Sequence, residues 1–506
     1  MLAKIYCSTT VGVASQLITV ECDYSNGLPG IIIVGLGNKA VDESKERIRS
    51  AIRNSNLKLP PKRYTLNLAP ADVPKHGTGF DLAMAVAMLV ASGQIDQRNV
   101  SSIAFCAELG LDGSLRPVNG VLPMSLGLSK SGINTLIVAK ENAEEAAMVG
   151  DVEVLPAATL QDVYRHAIGE VDLARQPHTK PKNGIRKISL LAEITGQQQA
   201  KRALQIAAAG GHNILMNGPP GSGKTMLARA MIELLPPPSF KEIIEITRIH
   251  SVSGEHGHQI KHERPFRSPH HSTSQVAIVG GGNIPRPGEI SLSNHGVLFL
   301  DELPEYPRSV LEALRQPLED RTISISRASS KLTFPAQFIL IGTQNPCPCG
   351  FLTDPERDCS CSAADINRYS KKLSGPLLDR FDITVEVSRI DNSKLIQNNK
   401  GANNEHYLDM QKSIEHARQI QINRFGDSTT LNAHMKNSQL KKYSNLDKET
   451  KDLLDASANK LKLSARSYMR LLKLARTIAD LEQKESVTKA DIIEALQYRQ
   501  RHQELV

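Results

Sequence analysis

The segment Gly218-Pro219-Pro220-Gly221-Ser222-Gly223-Lys224-Thr225 constrains this chain more than any other. It fits the phosphate-loop pattern G-x-x-x-x-G-K-[ST] without a mismatch. Asn213 to Asn217 before it predicts a short buried strand. Met226 to Leu235 after it predicts a helix, with no breaker until Pro236. Strand, glycine loop and helix together aim backbone N–H groups and a helix N-terminus at an anion. Lys224 then reaches the β- and γ-phosphates of ATP, and the Thr225 hydroxyl ligates Mg²⁺.

A second motif follows in Gly296-Val297-Leu298-Phe299-Leu300-Asp301-Glu302. Its apolar run predicts a strand buried on both faces of a parallel sheet. The acids at its C-terminal end emerge where ligands sit in open α/β folds. Asp301 is expected to hold Mg²⁺ through water, and Glu302 to polarise the attacking water. A phosphate loop alone indicates a nucleotide; the carboxylate pair indicates hydrolysis. Phe338 to Pro346 is a further buried strand with a polar end, which would set Asn345 beside the γ-phosphate.

Net charge is +8 with pI near 9.0, which favours a polyanionic partner weakly. Trp is absent and aromatics make up 4%, which argues against stacking platforms for single strands. Met1 to Val20 lacks a signal-type apolar run, and the longest such run, Leu82 to Ala91, is too short for a bilayer. A cytoplasmic location without a membrane partner is expected. In that reducing compartment the seven cysteines are not read as disulfides.

The expected organisation is an α/β domain over 1–170, a Pro- and Lys-rich linker over 171–187, a nucleotide-binding α/β core over 188–390 and a helical domain over 391–506. Within the core, Gly280 to Gly288 and Thr322 to Phe334 form two inserts. The second alternates apolar and polar residues about a polar tip, as a β-hairpin does. Arg327 and Lys331 at its tip, and Arg286 in the first insert, would grip DNA phosphates without reading sequence. Ordinary surface charges on exposed hairpins are the alternative.

The set of motifs resembles the AAA+ superfamily, its magnesium-chelatase-like branch, and within that the ComM/YifB family of competence-associated ATPases. The resemblance runs through Gly218 to Thr225, Arg264 to His271, Pro287 to Leu292, Gly296 to Pro304, Asn345 to Gly350, Gly375 to Phe381 and Ser464 to Arg466. It implies a homo-hexameric ring, with Arg380 as the arginine finger reaching a neighbour's site and Arg466 as the sensor-2 arginine of a lid. An ion pair of Arg380 with Asp379 or Asp382 is the ordinary alternative, and for Arg466 a solvated helix-end cation. The resemblance also implies DNA helicase and branch-migration activity on double- and single-stranded DNA during integration of transforming DNA.

Residues 66 to 138 resemble the Lon-type peptidase fold. Its Ser nucleophile falls at Gly79 and its Lys base at Met124. Glycine carries no nucleophile and a thioether takes no proton, so peptidase activity is not expected.

Cys347, Cys349, Cys359 and Cys361 form C-x-C…C-x-C with nine residues between the pairs. Four thiolates can close a structural Zn²⁺ site; free thiols are the alternative. Cys7, Cys22 and Cys106 read as isolated core cysteines. The irregular run His250, His256, His258, His262, His270, His271 reads as a solvated or DNA-facing surface. Two rival functions stay open: a chelatase-like remodelling ATPase acting on a protein partner, and an ATP-dependent protease, against which Gly79 and Met124 count.

Overall fold

The structure, a computed structural model, describes residues 2–35, 37, 39–180, 190–255, 257, 259–326, 331–354, 356–389 and 404–499. The N-terminal part is built on a seven-stranded mixed sheet. Its strands run, edge to edge, Gly30–Val34, Arg63–Ala69, Ala14–Ser25, Ala3–Val11, Ile103–Cys106, Thr135–Ala139 and Glu153–Ala157. Ala3–Val11 and Ala14–Ser25 form an antiparallel hairpin in the middle of that sheet. Helix Asp81–Ala91 packs on these strands with every residue buried. A helix apolar on all sides has no face for water, so the sequence of this segment requires an interior place. Its one charge, Asp81, is held by Arg47 at 2.7 Å and by Ser44.

A five-stranded sheet forms the centre. Its order is Phe266–Arg267, Val297–Leu300, Ile339–Gln344, Ile214–Asn217 and Ile383–Glu386, and every neighbouring pair is parallel. The C-terminal ends of Val297–Leu300, Ile339–Gln344 and Ile214–Asn217 therefore lie side by side and carry the loops with Asp301, Asn345 and Lys224. Helices Asn404–Phe425, Asn437–Ser444, Lys448–Lys460, Ala465–Leu481 and Lys489–Gln497 make up most of the described C-terminal part. One apolar cluster runs from Ile214 and Ile341 in the sheet to Ile414, Leu471 and Ile492 in those helices, so the two share a core.

Contacts also join the N-terminal part to the centre. Helix Phe240–Ser253 sends Ile243 into the N-terminal core, and the Gly120 N–H donates to the Ser251 hydroxyl at 3.0 Å. The start of the expected linker is a strap: Gln176 N–H donates to Val154 at 2.9 Å and Thr179 N–H to Ala147 at 3.0 Å. Residues 181–187 of that linker, and 391–403, lie outside the described residues.

Two expectations are corrected here. Cys7 and Cys106 are not isolated: their sulfurs lie 3.6 Å apart, because their strands are neighbours in the sheet. His250 is not solvated; it is buried, and its Nε2 meets the Leu292 carbonyl at 3.0 Å. His256 and His258 lie outside the described residues.

Candidate nucleotide site and arginine face

Lys224 opens helix Lys224–Leu234, directly after Gly223. Its Nζ donates to the carbonyls of Gly218 at 2.6 Å and Pro219 at 2.9 Å, and to Asn345 Oδ1 at 3.2 Å. Burial pulls this ammonium below its ordinary value, against the opposing field of Asp301 and Glu302. Gly218 has a steric reason: a Cβ there would lie 2.1 Å from the Val387 carbonyl oxygen. Pro219, Pro220, Gly221 and Ser222 complete the loop, and Ser222 is buried.

The Thr225 hydroxyl donates to Asp301 Oδ2 at 3.2 Å. A hydroxyl and a carboxylate at this separation fit the hard oxygen set of Mg²⁺. The Thr343 hydroxyl, on the adjacent strand, donates to Asp301 Oδ1 at 2.6 Å and accepts from the Glu302 N–H at 2.9 Å. Glu302 has φ 51° and ψ 53°, a left-handed conformation that costs a non-glycine residue about 1–3 kcal/mol. Strain of this kind persists where its surroundings fix it. Thr343 was not singled out by sequence reasoning; its signal was one polar residue closing the apolar run Ile339–Gly342.

Arg380 and Arg466 lie elsewhere. They line a cavity of about 620 Å³ with Arg321, Arg470 and Lys473, and no residue of Gly218–Thr225 lines it. Arg380 does not pair with Asp379 or Asp382. Its Nη2 donates to Glu319 at 2.5 Å and its Nη1 to the Pro376 carbonyl at 2.8 Å. Asp382 instead takes His212 at 3.1 Å and Arg470 at 3.6 Å. Arg466 lies 3.6 Å from the same Glu319, just inside a helix capped by the Ser464 hydroxyl. The sequence missed Glu319 because 61 residues separate it from Arg380.

Cys347, Cys349, Cys359 and Cys361 come together with their sulfurs all within 4.8 Å of one another. The closest separations are 3.3 Å and 3.6 Å. Tetrahedral zinc with Zn–S bonds near 2.3 Å needs about 3.8 Å between sulfurs, so the donor set fits the ion. The neighbouring thiols split in titration: the Phe351 backbone N–H lowers Cys349 to about 6, while, against a backbone N–H at each, hydrogen bonds to the other thiols push Cys359 up and Cys361 up to about 12.

Both inserts form two-stranded ladders, Gly280–Gly281 with Arg286–Pro287, and Thr322–Ser326 with Lys331–Pro335. Arg286 and Lys331 are exposed, and Arg327 lies outside the described residues. Ile284, Arg286 and Leu332 meet the N-terminal part at a cavity of about 490 Å³, which Gly79 and Met124 also line. The two Lon-like positions thus share one cleft. Among the described residues no helix is long and apolar enough to cross a membrane.

The chain matches the magnesium chelatase subunit ChlI family over residues 190–395, the ChlI subunit domain of Mg-chelatase over 20–142, and the ChlI C-terminal domain over 404–499. With the phosphate-loop geometry, these matches define a magnesium-chelatase-type ATPase. The chain is 45% identical over 503 residues to competence protein ComM of Haemophilus influenzae, covering 98% of this chain and 97% of that one. It is 41% identical over 505 residues to protein YifB of Escherichia coli, covering 98% and 97%. A Lon protease of Azorhizobium caulinodans is 23% identical over 168 residues, 31% of this chain and 19% of that protein. The chain belongs to the ComM/YifB family.

Proposed function

We propose that this ATPase is an ATP-driven ring motor on DNA, a cytoplasmic helicase that migrates branches when incoming DNA is integrated. One observation carries the ring: the arginines that would complete a nucleotide site line a cavity apart from the chain's own phosphate loop. In this reading ATP and Mg²⁺ sit on Gly218–Thr225 with Asp301. Glu302 polarises the attacking water and Asn345 orients it. Arg380 comes from the neighbouring subunit of a homo-hexamer and stabilises transition-state charge, and Arg466 serves as the sensor-2 arginine of the lid. The ComM name of a relative at 45% identity supports the link to competence. DNA backbone would run past Arg286, Lys331 and Arg327, contacted through phosphates. One zinc ion per chain would sit on Cys347, Cys349, Cys359 and Cys361. The chain would divide into 1–170, the 171–187 connection, 188–390 and 391–506.

ATPase rates with and without duplex, single-stranded and forked DNA test the motor. DNA stimulation with strand displacement is expected. A DNA-independent rate would favour remodelling of a protein partner. Changing Arg286 and Lys331 to Ala should weaken DNA binding evenly across sequences. It should also flatten the salt dependence, each duplex phosphate contact being worth a slope of about −0.9. Basal ATPase should survive.

A further inference from the structure

The cysteine loop is seated on the nucleotide machinery. Cys347 follows Asn345 by two residues, and the Gly350 N–H closes a turn onto the Cys347 carbonyl at 3.0 Å. That turn lies against the phosphate loop. Gly350 has φ +85°, and a Cβ on it would lie 2.6 Å from Pro220 Cδ and 3.9 Å from Asn345 Cγ. The far end of the cysteine loop returns to the same place. Ser362, next to Cys361, caps helix Ala363–Ser370, and that helix carries the buried Tyr369, whose hydroxyl lies near the Asn345 backbone. Arg389, beyond strand Ile383–Glu386, ties the middle of the loop through Asp354 at 3.6 Å and Glu356 at 3.4 Å. Asn345 therefore adjoins both ends of a loop whose four thiols meet at one point.

We propose that zinc on these four cysteines positions Asn345 and the Pro220 side of the phosphate loop, so that zinc binding and ATP binding are coupled. The idea rests on the reading of Gly218–Thr225 and Asn345 as the nucleotide site. It makes Gly350 a positioning residue for hydrolysis. Coupling between two sites is reciprocal: if zinc orders the γ-phosphate end of the site and so tightens ATP binding, nucleotide must tighten zinc binding by the same factor.

Two measurements on the full-length zinc-loaded protein test this. In the first, equilibrium competition with a chromogenic chelator measures zinc affinity with and without Mg²⁺ and a non-hydrolysable ATP analogue. Zinc affinity should rise at least about fivefold with nucleotide, the lower end of ordinary coupling. In the second, Gly350→Ala keeps all four thiols but pushes on Pro220. It should retain one zinc per chain, lose most of the nucleotide effect on zinc affinity and lose roughly 10- to 100-fold in kcat, as a small misplacement does. Wild-type ATPase is measured alongside. If the wild type hydrolyses no ATP, the reading of the nucleotide site fails. If it hydrolyses ATP but holds no zinc, or binds zinc with one affinity with and without nucleotide, the coupling is overturned. So is a Gly350→Ala protein with normal kcat.

Discussion

The smallest unit of the site is one hydroxyl serving two acids. Thr343 donates to Asp301 and accepts from the Glu302 N–H, so it fixes the Asp301 carboxylate and the strained turn beyond it. Val has the same shape without the hydroxyl. Thr343→Val should leave the fold intact and lose a hydrogen bond to a charged group, worth about 1.5–3 kcal/mol. Steady-state kinetics should show kcat falling about 10- to 150-fold, with a raised Mg²⁺ requirement. Lys224→Ala should abolish both tight ATP binding and hydrolysis, because its ammonium faces the loop carbonyls and Asn345 directly. Glu302→Gln should bind ATP normally and hydrolyse it at least about 10²-fold more slowly, the usual scale for a lost general base. Nucleotide binding and phosphate release, measured on the same preparation, separate these cases. Normal turnover by Glu302→Gln would remove Glu302 from its role.

Elements were legible where the sequence carries its own period. The phosphate-loop strand and helix, the apolar Val297–Leu300 strand and the Thr322–Pro335 hairpin all follow from local pattern. The long hairpin of Ala3–Val11 and Ala14–Ser25 is not legible as a run of apolar residues. Yet Ala3, Ile5 and Cys7 alternate inward, as do Ile18, Val20 and Cys22. Scattered polar residues hid that period of two. Pairings between distant elements were beyond reach, since no local rule joins Glu319 to Arg380 or Cys7 to Cys106. The helical C-terminal part offers the same lesson with an energy attached. Asp480, fully buried on helix Ala465–Leu481, accepts from Arg424 at 2.5 Å, Arg476 at 2.8 Å and Asn432 at 2.7 Å. Removing it strands two guanidinium groups in a low-dielectric place. Asp480→Ala should cost about 3–5 kcal/mol. Scanning calorimetry should show an earlier transition, and an unchanged thermogram would mean that water satisfies both arginines.

At the scale of the whole molecule, the residues proposed here as the two halves of a nucleotide site stand apart within one chain. Lys224, Asp301 and Asn345 gather at the ends of parallel strands, whereas Arg380 and Arg466 converge on Glu319. A lone chain should therefore bind ATP and hydrolyse it slowly, and specific ATPase should rise with protein concentration as rings form. Arg380→Ala should lose about 10³-fold or more in kcat, the scale of an arginine finger, with ATP affinity nearly unchanged. The decisive case is a mixture. An Arg380→Ala subunit keeps its own phosphate loop and Glu302 intact; a Glu302→Gln subunit keeps its finger. Each protein alone forms only defective interfaces. Where a Glu302→Gln subunit presents its Arg380 to the site of an Arg380→Ala subunit, that one interface is whole. Mixing the two in equal amounts, under conditions of subunit exchange, should place a whole interface at about one site in four, if mixing is random and the ring is cyclic. ATPase should recover toward that fraction of the wild-type rate. If mixed rings form by mass measurement and activity stays at the level of the separate mutants, Arg380 does not act across the interface.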